Sequence, residues 1–209
     1  MTVAPVVTLS GRAYDGPIAN ATISVTVGEK TYTATANADG VYTLDIGAVD
    51  PDAFITITAT GAEGEEHVEL VSIAGSFGSL HAVAGDDGIL DTSESGSVNV
   101  TNLSTAKAVL MIQANGGNDI TDDATLVTSE SLVSGDDVLY LATIIKLVID
   151  GGYDLPEGTA STLDLVNEWA EDDPARLRVE QGEEREFARV LVEGGIRKEK
   201  ERKKKRNLD

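Results

Sequence analysis

The first sixty residues alternate apolar and polar side chains with a period of two. Ile23, Val25 and Val27 point one way while Thr22, Ser24 and Thr26 point the other. Tyr32, Ala34 and Ala36 alternate with Thr31, Thr33 and Thr35, and Tyr42, Leu44 and Ile46 with Val41, Thr43 and Asp45. Phe54–Thr58 repeats the pattern, and His67–Ile73 reads as one more strand. Such runs of β-branched and aromatic residues fit half-buried strands. Asp15-Gly16-Pro17, Gly28-Glu29, Asp39-Gly40 and Asp50-Pro51 punctuate them, and short strands at this spacing predict an antiparallel sandwich.

From Gly75 the period lengthens. Ser76–Val83 is a short amphipathic segment. Ser104–Ala114 predicts a mainly apolar helix ended by Asn115-Gly116-Gly117. Thr121-Asp122-Asp123 opens a helix through Leu132, and Ser134-Gly135-Asp136-Asp137 resembles a capping box for a helix over Asp136–Asp150. Ser161-Thr162-Leu163-Asp164 caps a last helix to about Glu171. The run Val138–Ile149 is the most apolar and is expected to dock the bundle on the sandwich. A bilayer span needs about 20 apolar residues, so this run predicts a core helix. The fold class is therefore α+β: a sandwich over 1–74, a small helical domain over 75–173, and a charged tail over 174–209.

Two stretches carry a family resemblance. Leu9-Ser10-Gly11-Arg12-Ala13-Tyr14-Asp15-Gly16-Pro17-Ile18-Ala19-Asn20-Ala21-Thr22-Ile23-Ser24-Val25 is a strand, a glycine, a polar turn, proline and alanine at set spacing, then a strand. Thr35-Ala36-Asn37-Ala38-Asp39-Gly40-Val41-Tyr42-Thr43-Leu44 follows it. Together they resemble carboxypeptidase regulatory-like domains, which are transthyretin-like (prealbumin-like) β-sandwiches. The resemblance spans about a third of the chain. It implies a non-catalytic domain of the kind found on bacterial surface, periplasmic and lipoprotein-type proteins. Asn99–Lys107 and Ile145–Gly158 resemble segments that follow such a sandwich in uncharacterised bacterial lipoprotein-type proteins.

Charge divides the chain. Residues 1–173 hold only four basic side chains (Arg12, Lys30, Lys107, Lys146) against 28 acidic ones, a net of −24. Residues 174–209 hold twelve basic and eight acidic, a net of +4. The acidic body disfavours nucleic acid as a partner, because it repels phosphate. The tail, with its run Arg197–Arg206, is expected to be disordered or aberrant, for instance out of frame with an ancestral gene. The other reading of that run is contact with nucleic acid or an anionic membrane. No basic and apolar leader opens the chain. A periplasmic or cell-surface location is still expected from the composition, through a clipped or misassigned start, beside a cytoplasmic alternative.

Candidate chemistry is sparse. There is no cysteine, so no disulfide or thiolate metal site, and neither a P-loop nor a dinucleotide-binding glycine motif occurs. The nucleophile-elbow pattern is also missing. His67 and His81 are expected to be bland residues of a strand and a helix. The acid pairs Asp122/Asp123, Asp136/Asp137 and Asp172/Asp173 are read as capping and solubilising groups. Val83–Glu94 is the sharpest candidate. A calcium loop needs oxygen ligands at positions 1, 3, 5, 9 and 12 with glycine at 6. With Gly88 at position 6, Asp87, Asp91 and Glu94 fall on ligand positions, while Val83 and Gly85 stand where two ligands belong and Asp86 is offered as a substitute. The expected function is a non-catalytic structural or adhesion module of an exported bacterial protein. It would act without a cofactor on a protein or glycan at the cell surface. The alternative is a calcium-dependent adhesion or carbohydrate-binding module using Asp86, Asp87, Asp91 and Glu94.

Overall fold

The computed structural model describes residues 5–172, apart from Pro17, Val49 and Tyr153. The tail over 174–209 lies outside them, as does Asp173. The architecture is α+β, with two sheets followed by helices. In the first sheet β1 (Val6–Tyr14) is central. It pairs antiparallel with β4 (Val41–Gly47) on one side. On the other it pairs parallel with β7 (Ile89–Asp91) and β8 (Val100–Thr101). The second sheet is antiparallel throughout, in the order β3 (Lys30–Thr35), β2 (Thr22–Val27), β5 (Phe54–Thr60), β6 (Glu69–Ser76).

The period-two pattern dictates what lies between the sheets. Val7, Leu9, Tyr42 and Ile46 from one sheet and Ile23, Val25, Ile55, Ile57 and Leu70 from the other are almost completely buried. The intervening threonines and serines of β2 and β5 face outward, so the sandwich is a direct consequence of the alternation. His67 is not in a strand: β6 begins at Glu69, and His67 sits in the preceding turn, its carbonyl accepting from Thr162 N at 2.9 Å. The sheet also does not stop at residue 74. β7 and β8 come from beyond it, and the buried core runs without a break from Val7 to Ala170.

Among the described residues five α-helices follow: α1 (Phe77–Ala84), α2 (Asn102–Ala114), α3 (Asp123–Leu132), α4 (Gly135–Ile149) and α5 (Thr162–Asp172). Capping fixes most of their starts. Thr101 and Ser104 exchange side-chain and backbone bonds in a full capping box at α2. Asp122, rather than Thr121, caps α3 by accepting from Thr125 N at 2.8 Å. The capping box expected at Ser134 is not formed: Ser134 holds the N-cap position without a side-chain hydrogen bond, and Asp136 and Asp137 supply negative charge to the first turn instead.

The helix packed most extensively on the sandwich is α2, which corrects the expectation for 138–149. Thr105, Ala106, Ala108, Val109, Leu110 and Met111 are all buried, so α2 is enclosed on several sides. A helix buried all round belongs in a middle layer, whereas one with a polar face lies outside. α4 has such a face, with Leu139 and Thr143 outward, and packs on α2. The small hydroxyl side chains of α2 let it approach the outer edge of β6. Thr105 Oγ1 accepts from Val71 N at 2.9 Å, and Ser104 Oγ donates to Val71 O at 2.8 Å. On α5, Thr162 Oγ1 accepts from Glu69 N at 2.9 Å and donates to Glu69 O at 2.6 Å. Asp123 joins α3 to this edge by accepting from Ser76 N at 2.8 Å and from the hydroxyls of Ser76 and Ser79 at 2.6 Å each. Those bonds hold its carboxyl below the ordinary carboxylate range.

α4 also reaches the end of β1 through one charge pair. Lys146 Nζ lies 3.5 Å from Asp15 Oδ1 and 3.2 Å from Asp150. Asp15 is buried, and desolvation raises its pKa against the pull of Lys146. A raised folded-state pKa means that the folded protein holds this proton more tightly than the unfolded chain. The charged form therefore costs stability once pH rises above the carboxylate range. Asp15→Asn is expected to melt higher than wild type at neutral pH. The two melting temperatures should converge as pH falls through the Asp15 titration, and a gap that widened toward acid would contradict the burial argument.

Candidate functional site

The interruption between β7 and β8 shapes the outer face of the first sheet. β7 pairs with Thr8, Leu9 and Ser10, and β8 with Ala13 and Tyr14. Between them the chain leaves β1 for residues 92–99. Asn99 fills the gap with its side chain, as Oδ1 accepts from Arg12 N at 3.1 Å and from Thr92 Oγ1 at 3.3 Å. Beneath, Val98 O accepts from Tyr42 Oη at 2.6 Å in the core. Gly11 passes directly over this bond: a Cβ there would lie 2.1 Å from Val98 O and 2.8 Å from Tyr42 Oη.

Strand alternation turns Ser10, Arg12 and Tyr14 outward on β1. They form the floor of an open groove of about 630 Å³, together with Val41 of β4. Asp91, Thr92, Ser93, Asn99 and Thr101 form its wall. The Arg12 guanidinium lies 5.9 Å from the centroid of the Tyr14 ring, a cation–π distance. Asp91 accepts from both Ser93 N and Ser93 Oγ at 2.7 Å, and these bonds hold its carboxyl below the ordinary range. The groove thus offers a cation with a planar donor fork, an ionised carboxylate, a half-exposed aromatic ring, an amide and several hydroxyls, carried largely on paired strands.

Set against family models, curated proteins and solved structures, the chain has no match.

The acidic loop is only partly drawn into the groove. Asp91 lines it. Asp86 and Asp87 lie in the exposed turn after α1, and Asp87 Oδ1 accepts from Ile89 N at 3.0 Å. Glu94 Oε2 accepts from Asp91 N at 3.2 Å. Each of Asp87, Asp91 and Glu94 thus serves its own backbone turn, and among the described residues no group of three or more His, Asp or Glu is arranged to hold a metal. Neither histidine lines the groove: His81 sits on α1 with its ring 6.0 Å from that of Phe77. Among the described residues no helix is long and apolar enough to cross a membrane.

Nothing in the local sequence marks Tyr14, Asn99 or Thr101 as site residues. A signal for Arg12 was present. It is one of four basic residues in the acidic body and stands on the outward phase of a strand, where no carboxylate among the described residues pairs with it.

Proposed function

We propose that this protein is a non-catalytic binding module whose outer sheet face takes a glycan. The observation that carries the reading is the groove over Ser10, Arg12 and Tyr14, which places a guanidinium and an aromatic ring beside amide, carboxylate and hydroxyl groups. Sugars present hydroxyls to charged and amide partners and C–H faces to aromatic rings, so this mixture suits them. The volume lies within the usual range for ligand sites, roughly 300–1,000 Å³. The resemblance to carboxypeptidase regulatory-like domains supports the non-catalytic part and a place at the cell surface or in the periplasm.

Binding is expected to proceed without calcium, since Asp91 is already committed to Ser93 and Glu94 to the Asp91 amide. The test is a glycan array, followed by calorimetric titration of any hit with and without a chelator. Arg12→Ala should weaken the hit at least tenfold, the loss of about one charge-assisted hydrogen bond, and leave the melting temperature within about a degree. Binding abolished by chelator would move the assignment to the calcium-dependent alternative. Binding indifferent to Arg12→Ala would remove the groove from consideration.

A further inference from the structure

The two edges of the second sheet are treated in opposite ways. On β6 the outward backbone groups are taken up by side chains of α2, α3 and α5: Val71 by Ser104 and Thr105, Glu69 by Thr162, and Ser76 by Asp123. On β3 no such cover exists among the described residues. Ala36 N donates to Ala21 O at 2.9 Å, so Ala21 and Ala36 face each other as a hydrogen-bonded pair. Bonded pairs then recur at every second position of the antiparallel ladder, at Ile23–Ala34, Val25–Tyr32 and Val27–Lys30. The N–H and C=O groups of Thr31, Thr33 and Thr35 consequently point away from β2. All three residues are exposed, and no backbone bond to them closes from a neighbouring loop among the described residues.

Exposed edges in monomeric proteins are commonly blunted by charge, proline or a bulge. The stretch 31–38 of this strongly acidic chain contains no charged residue and no proline, and β3 pairs with β2 in unbroken register. We infer that β3 is an interface for a second copy of this chain, joining antiparallel to its own counterpart about Thr33. That axis places Thr33 opposite Thr33 and Thr31 opposite Thr35, each as a bonded pair, for about six backbone hydrogen bonds. On the inner face, the bulky Tyr32 of each copy meets the small Ala34 of the other. Lys30 lies opposite Ala36, so no like charges meet. The edge is complementary to itself in backbone, volume and charge, and this favours a second copy over an unrelated strand. Two four-stranded sheets become one of eight.

Sedimentation equilibrium on the full chain tests this, at about 0.5 M NaCl for the native sequence, to screen contacts between the acidic body and the basic C-terminal residues, and at about 0.15 M for the charge variants, whose effect the higher salt would also screen. The expected result is a monomer–dimer equilibrium. Thr33→Lys sets two lysines against each other at the axis and should weaken association at least tenfold, with the thermal melt of the monomer unchanged. The double variant Thr31→Glu/Thr35→Lys pairs opposite charges twice and should strengthen it. With no native cysteine, Thr33→Cys should be linked to its counterpart by a short bis-maleimide, because bonded pairs sit about 5.5 Å apart between Cα atoms. Thr128→Cys on exposed α3 should not. A monomer at every concentration, a dimer indifferent to both charge variants, or equal cross-linking at Thr128 would each overturn the inference.

Discussion

Gly11→Ala is expected to destabilise the protein by about 2–4 kcal/mol, at or above the upper end for overpacking a well-filled site. The added methyl would sit 2.1 Å from a backbone oxygen, Val98 O, and 2.8 Å from Tyr42 Oη. Neither can step aside cheaply. Val98 is fully buried and Tyr42 nearly so, and they are tied to each other by a 2.6 Å hydrogen bond. Making room means moving the turn at 96–98 off β1, which loosens that bond and the Asn99 bridge to Arg12 N together. Chemical denaturation should report a lower midpoint at an unchanged slope. Gly96→Ala is the matched control: nothing lies within 4 Å of its added Cβ, and it should change stability by less than about 0.5 kcal/mol. Equal effects at the two glycines would show that the close approach at Gly11 is not what requires glycine. Because the same displacement moves Asn99, Gly11→Ala should also lose whatever the groove binds.

The second large effect lies on the far edge of the other sheet. Thr105→Val and Thr162→Val keep side-chain shape and remove one hydroxyl each. Both threonines are fully buried, and each accepts from a β6 amide, Val71 N or Glu69 N. An unpaired amide in such a place costs about 1–3 kcal/mol. The pair together is expected to remove about 2–5 kcal/mol, a large share of the roughly 5–15 kcal/mol that holds a typical domain folded. Thr→Ser at the same positions restores the hydroxyl and should recover most of the loss. Hydrogen exchange locates the cause: the amides of Glu69 and Val71 should lose protection first in the valine variants. Uniform loss of protection across both sheets would mean that packing, not edge capping, was disturbed.

The legible part of this fold was the part with a long enough period. Strands of six to nine residues, such as β1 and β2, expose several alternations each. β7 and β8 have three and two residues, too few to show any, so the completion of the first sheet from beyond residue 74 was invisible. Helix existence was legible through caps and glycine stops, but helix placement was not. Apolar content singled out α4, whereas the layer against β6 is set by the hydroxyls of Ser104 and Thr105, which local hydropathy counts as unremarkable. The groove was hidden for a related reason. Its residues lie in three separate stretches, at 10–14, 41 and 91–101, brought together by the antiparallel pairing of β4 and the parallel pairing of β7 and β8 with β1. Asp91 was singled out for a calcium loop because of its spacing from Gly88 and Glu94. Its observed partner is Ser93, two residues on, a local turn that competes directly with a cage.

The late arrival of β8 has a consequence for how the chain reaches this state. Arg12 N and Asn99 are 87 residues apart in sequence, and the first sheet lacks its parallel half until that loop is closed. Pairings of such separation slow folding, because the closure entropy is lost before the contact is gained. The second sheet, two hairpins joined by the β2–β5 pairing, closes within residues 22–76 and waits less. On a ribosome the nascent chain would leave the β1 edge unpaired at Thr8–Ser10 until residue 91, and at Ala13 and Tyr14 until residue 101, had emerged. In that interval the β1 flank is open to chaperones or to a neighbouring nascent chain.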